Sequence, residues 1–123
     1  MNEQVKKFQN IEKYLSKTKG KFELFALLLR EDAPNKWDLI VSSDWAIANK
    51  KASIDLIAKE IHKELSDQEL LMLSRIIILD KKDLSFSSIQ KEKEVVNGLA
   101  EISGIDFLGL AIKHGYLITS QLK

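Results

Sequence analysis

Residues 22–45 read FELFALLLREDAPNKWDLIVSSDW, and the rest of the chain is organised around them. Between Phe22 and Arg30 apolar side chains occupy both faces of a period-two pattern. Leu24, Ala26 and Leu28 fall on one side, and Phe25, Leu27 and Leu29 on the other. A strand apolar on both faces belongs in the interior of a sheet that is covered on both sides. Glu31–Asn35 carries the only proline, Pro34, which fixes its own φ, lacks a donor and biases Ala33 away from the α region. That is hairpin-loop chemistry. Trp37 to Trp45 then alternates: Trp37, Leu39, Val41, Ser43 and Trp45 share one face, and Asp38, Ile40, Ser42 and Asp44 share the other. The mostly polar second face predicts a strand nearer an edge, or wet on one side.

Working outward, 123 residues suffice for one domain that buries roughly two-thirds of its unfolded surface. Apolar residues make up 45% and charged residues 30%, a globular rather than disordered composition. The absence of cysteine excludes disulfides, thiolate zinc sites and cysteine nucleophiles, and favours a cytoplasmic location. The opening MNEQVKKFQN lacks a secretory h-region. The longest run without Asp, Glu, Lys or Arg is the nine residues 114–122, well short of the roughly 20 needed to span a bilayer, so no membrane association is expected. Net charge is +1 but uneven. Residues 1–21 carry six Lys against two Glu (+4), and residues 22–49 carry two basic against five acidic residues (−3).

Before the hairpin, residues 3–17 form an amphipathic helix. Val5, Phe8, Ile11 and Leu15 lie within an arc of about 120°, and Gly20 is placed to end the helix. After it, residues 49–73 make a helical crossover. Ile54, Ile57, Ala58, Ile61 and Leu65 keep helical spacing, Asn49 is an N-cap, and Ser66 with Glu69 forms a capping box for a short second helix. SRIIILD at 74–80 is a buried strand, expected beside 22–30 at the sheet centre. Residues 85–93 suggest a short exposed helix. The segment 94–120 is β-rich: Asn97–Gly98 signals a type I′ hairpin, Ser103–Gly104 another turn, and 115–119 a strand. Residues 105–113 fit either a strand or a helical turn. The expected fold is therefore α+β: one small domain over 1–123, with a mixed β-sheet of about five strands and two main helices packed on it.

Four constellations bear on function. Trp37 and Trp45 are either core or, if one escapes the helices, part of a binding surface with Asp44. Asp44 and Asp80 follow strands, where carboxylates can hold a divalent metal, with Asp38 and Asp83 near in sequence; turn, cap and solvated strand-end roles are the simpler account of them. Lys6, Lys13 and Lys17 align on one helix face, a possible phosphate-backbone contact or simply a solvated face. His62 and His114 read as surface histidines. The five glycines form neither a dinucleotide fingerprint nor a phosphate-binding loop, and no nucleophile elbow is present, so no cofactor is implied. Three functions follow in order. The first is a non-catalytic protein-interaction or assembly module, with a protein partner or self-association as a homo-oligomer. The second is a metal-dependent hydrolase or nuclease using Asp44 and Asp80. The third is nucleic-acid binding through Lys6, Lys13 and Lys17.

Overall fold

The computed structural model describes residues 2–80, 82, 94–107 and 109–121. In chain order these form α1 (Asn2–Thr18), β1 (Leu24–Arg30), β2 (Trp37–Ser42), α2 (Asp44–Ala48), α3 (Lys50–Glu64), α4 (Asp67–Leu70), β3 (Leu73–Ile78), β4 (Ala100–Ile102), β5 (Ile105–Phe107) and β6 (Leu110–Ser120). The helix expected over 85–93, and Asp83, lie outside the described residues. The sheet is mixed and six-stranded, ordered β3-β2-β1-β6-β4, with β5 also pairing β6. This is a single small α+β domain, with the long helices α1 and α3 as its main helical elements.

The two apolar faces of β1 are both used. Phe25, Leu27 and Leu29 join Trp37, Leu39 and Val41 beneath α1 and α3, packing with Val5, Phe8, Ile11, Leu15, Ile57 and Ile61. Leu24, Ala26 and Leu28 pack with Ile40, Leu79, Ile102, Phe107, Ile112 and Leu117 on the opposite face. Between β1 and β4, Gly115 of β6 leaves room for Leu28 and Ile102 to meet over the sheet.

Four features depart from the sequence-based expectation. First, SRIIILD does not lie beside β1. As β3 it pairs parallel with β2 (Leu39↔Ile76, Val41↔Ile78), and among the described residues it forms a sheet edge. The place beside β1 is taken by β6, an antiparallel partner from Leu24↔Ser120 to Arg30↔Ile112. Second, β2 is buried along its whole length rather than wet on one side. Its polar residues bring partners inward: Ser42 Oγ donates to Leu79 O at 2.8 Å, and Asp38 Oδ2 accepts from Arg30 Nε at 3.0 Å.

Third, β2 ends at Ser42. Ser43 precedes α2 as its N-cap residue and its hydroxyl donates to Lys21 O at 2.7 Å, so Trp45 belongs to a helix and not to the strand face of Trp37. Fourth, Asn97–Gly98 is not a hairpin turn. Asn97 has φ 45° but Gly98 does not share the positive φ that a type I′ turn requires. The chain does not reverse there, because Val95 bridges Ser120 and Ala100 pairs with Leu117 on the same neighbour. Five steps on one side thus face three on the other, which is a bulge. Likewise Ser103–Gly104 only interrupts the strand: β4 and β5 both run antiparallel along β6. In the ambiguous segment 105–113, residues 105–107 are a strand and residues 110–113 begin the next, antiparallel to it.

Asn49 Oδ1 accepts from Ala52 N at 3.3 Å at the start of α3, and both bonds of the Ser66–Glu69 capping box are present.

Candidate functional site

The residues singled out in the sequence do not assemble into one site. Trp37 is 8% exposed and stacks on Tyr116, with ring centroids 5.3 Å apart and planes 28° from parallel. Trp45 lies beyond the other end of β2. Its indole N–H donates to Gly20 O at 2.9 Å, and its ring meets Phe22 edge-on at 5.5 Å. That leaves Trp45 half-buried beside a hollow of about 240 Å³ shared with Lys19, Asn49 and Leu56. Asp44 is exposed in the first turn of α2, where the helix dipole favours a carboxylate.

Asp44 and Asp80 do stand at the same end of the parallel pair β2–β3, since Val41 is level with Ile78. Asp80 is exposed and its Oδ1 accepts from Lys82 N at 3.2 Å, closing a local turn. Among the described residues, no group of three or more His, Asp or Glu is placed to hold a metal ion. Lys6, Lys13 and Lys17 are all exposed on α1. His62 is exposed on α3, and His114 Nε2 sits 2.9 Å from Glu101 Oε1 with its ring against Tyr116.

The arrangement with most scope for recognition lies at the β3 edge. The crossover through α3 and α4 delivers Leu73–Ile78 to the outside of β2, and α3 lies over the helix-side face of the same strand. Between them runs an open groove of about 360 Å³. Ile54, Ala58, Ile61, Leu70, Leu73 and Ile76 make it apolar, with His62, Ser74 and Arg75 as its polar members and no carboxylate among the described residues. Just before the strand, Leu71 is 68% exposed, the most exposed of the chain's large apolar side chains among the described residues.

Arg75 is held in place from behind. Asp38 has a side chain only 3% exposed, and its Oδ2 stands 3.2 Å from Arg75 Nε and 3.0 Å from Arg30 Nε. Arg30 also spans to Asp32, at 3.2 Å through Nη1. Two guanidinium groups therefore converge on one buried carboxylate oxygen, while Asp38 Oδ1 has no hydrogen-bond partner. Burying a lone carboxylate is costly, and the two cations are what make Asp38 tolerable there. The Arg75 side chain remains 44% exposed, and Asp38 is its only ion-pair partner among the described residues.

This groove was not legible in the sequence, because it depends on β3 lying at an edge. The signal that could have found it is Arg75 itself, a charge inside an otherwise apolar strand, which fits an edge better than a centre.

A small α+β domain whose β3 edge is open among the described residues, with a groove beside it, is the class that fold and site define. Compared with known protein families, curated proteins and solved structures, the chain matches none. No helix among the described residues is long and apolar enough to cross a membrane.

Proposed function

We propose that this protein is a non-catalytic protein-interaction module whose docking surface is the β3 edge and the groove between β3 and α3. The carrying observation is that β3, a six-residue strand, has a hydrogen-bonded neighbour on one side only among the described residues. A strand edge presents unpaired N–H and C=O groups that an extended segment can complete, and side-chain pockets beside the edge add selectivity. The opposite edge suits this less well, being built from two three-residue strands with an interruption at Ser103–Gly104. Trp37, Asp44 and Trp45, the surface first suggested by the sequence, are a poorer choice: Trp37 is buried and Trp45 spends its indole N–H on Gly20.

A peptide-display selection on the full chain tests this reading, with Ala58→Arg as the control. Ala58 lines the groove from α3, so a long side chain there fills the groove, and arginine is a good helix former. The expected result is a set of enriched peptides whose binding is lost in Ala58→Arg while its circular dichroism is unchanged. Failure to enrich any sequence, or enrichment indifferent to Ala58→Arg, counts against it.

A further inference from the structure

Resting on that reading, we infer that the β3 edge takes an extended acidic segment of another protein, with a carboxylate of that segment held by Arg75. The inference starts from which nitrogen Arg75 uses internally. Asp38, buried and fixed on β2, engages Nε at 3.2 Å. The terminal guanidinium nitrogens have no partner among the described residues, and the side chain is 44% exposed. With Nε turned toward Asp38 as an ion pair, the outer nitrogens face away from that carboxylate and can meet a second one in the bidentate geometry that makes such pairs strong. Asp38 is here a positioning residue, because it sets the direction of Arg75 without reaching the ligand.

Charge complementarity selects the partner. Among the described residues the groove is lined by Arg75 and His62 and by no carboxylate. Close by, Lys36 Nζ donates to Leu71 O at 2.6 Å just ahead of the strand. Asp38 is already committed to two cations. An incoming strand would therefore meet the outer guanidinium nitrogens of Arg75 and the exposed ammonium of Lys36, beside an apolar floor of Ile54, Ile61 and Ile76. An alternating segment of apolar and acidic residues matches both, its apolar side chains turned to the groove and its acids to the Arg75 side.

A second copy of this chain is the poorer occupant. Symmetric antiparallel pairing centred on Arg75 would set two guanidinium groups directly opposite each other, which is destabilising. Centring on Ile76 would place Arg75 opposite Ile77, with no carboxylate in reach.

The test uses two acetylated hexapeptides, one alternating valine with glutamate and the other valine with lysine, titrated into the ¹⁵N-labelled full chain. The glutamate peptide should shift the amides of Ser74 to Ile78 with those of Ala58 and His62, saturably, and the lysine peptide should not. Arg75→Gln should weaken the glutamate peptide about tenfold or more, the worth of one charge-assisted pair. Equal binding of both peptides would overturn the acidic preference while leaving the docking surface in place. Failure of both peptides, with display still yielding Ala58-dependent binders, would overturn this inference alone. A dimer by light scattering with exchange-protected β3 amides would overturn it in favour of a second copy.

Discussion

Gly20 sits at φ +135° where α1 gives way to β1, and a Cβ built there would stand 3.2 Å from Trp45 Cδ1. The same residue's carbonyl accepts the Trp45 indole N–H. Gly20→Ala therefore incurs backbone strain at a positive φ and pushes on an aromatic ring that is tied to the same residue. A loss of about 1–3 kcal/mol is expected, seen as a lower urea midpoint at unchanged slope. Gly115 tests a different kind of necessity, since its backbone is ordinary and only space is short. A Cβ there would lie 2.8 Å from Leu28 Cδ2 and 2.9 Å from Ile102 Cγ1. Gly115→Ala should cost about 1–3 kcal/mol by overpacking. In its background Ile102→Ala should cost less than it does in the natural chain, a coupling that a double-mutant cycle measures. Gly20 was readable as the end of a helix, because a glycine after a periodic apolar run has a local cause. Gly115 was not, because its role depends on which strands flank β6.

Among the elements, α4 is held by a carboxylate, Glu69, whose ionisation ties it to α1. Glu69 accepts from Lys7 Nζ at 2.6 Å and from Ser66 N at 2.8 Å through Oε1, and from Gln4 Nε2 at 3.0 Å through Oε2. The hydrogen bond from Lys7, followed by that from the Ser66 backbone, holds its carboxyl down at about 2 against an ordinary 4.5. A carboxyl that is more acidic folded than unfolded stabilises the fold fully above the unfolded value and loses that contribution as pH falls toward the folded one. Glu69→Gln should therefore be less stable than the natural chain at pH 7, with the gap closing between about pH 4.5 and 2. Urea titrations at pH 7, 4 and 2.5 measure it, and a gap that persists at the lowest pH would show the contribution is not ionic. The capping box behind this was legible because both partners lie within four residues. The neighbour of β3 was not: four consecutive apolar residues, Ile76 to Leu79, suit a central strand, and only Arg75 argued otherwise. The polar face of β2 misled for a related reason, since Asp38 Oδ2 and Ser42 Oγ are engaged by Arg30, Arg75 and Leu79, groups that no local pattern connects to them.

For the whole molecule, the uneven charge of the sequence resolves into a basic α1 set against the sheet, with Lys6, Lys13 and Lys17 facing outward. At physiological salt the protein is expected to show no retention on DNA, as its net charge is only +1. Salt-sensitive retention abolished by neutralising those three lysines would instead establish a nucleic-acid surface. A buried polar clamp joins α1 to the later strands. Thr119 Oγ1 donates to Glu12 Oε2 at 2.7 Å, Asn97 Nδ2 donates to Glu12 Oε1 at 2.7 Å, and Gln9 Nε2 donates to Gly98 O at 2.8 Å. Thr119→Val removes the acceptor of the Asn97 N–H and the donor to Glu12, so it should loosen the bulge on β6 and accelerate amide exchange at Asn97 before the rest of the sheet opens.

The pairing of β1 with β6 also has a consequence during synthesis. Leu29 and His114 are partners, 85 positions apart (114 minus 29). On a ribosome adding about 5–20 residues per second, β1 would wait roughly 4–17 s for that neighbour. In that interval the most apolar strand of the protein has β2 on one side and an open flank on the other. That flank can close only once β6 has been made.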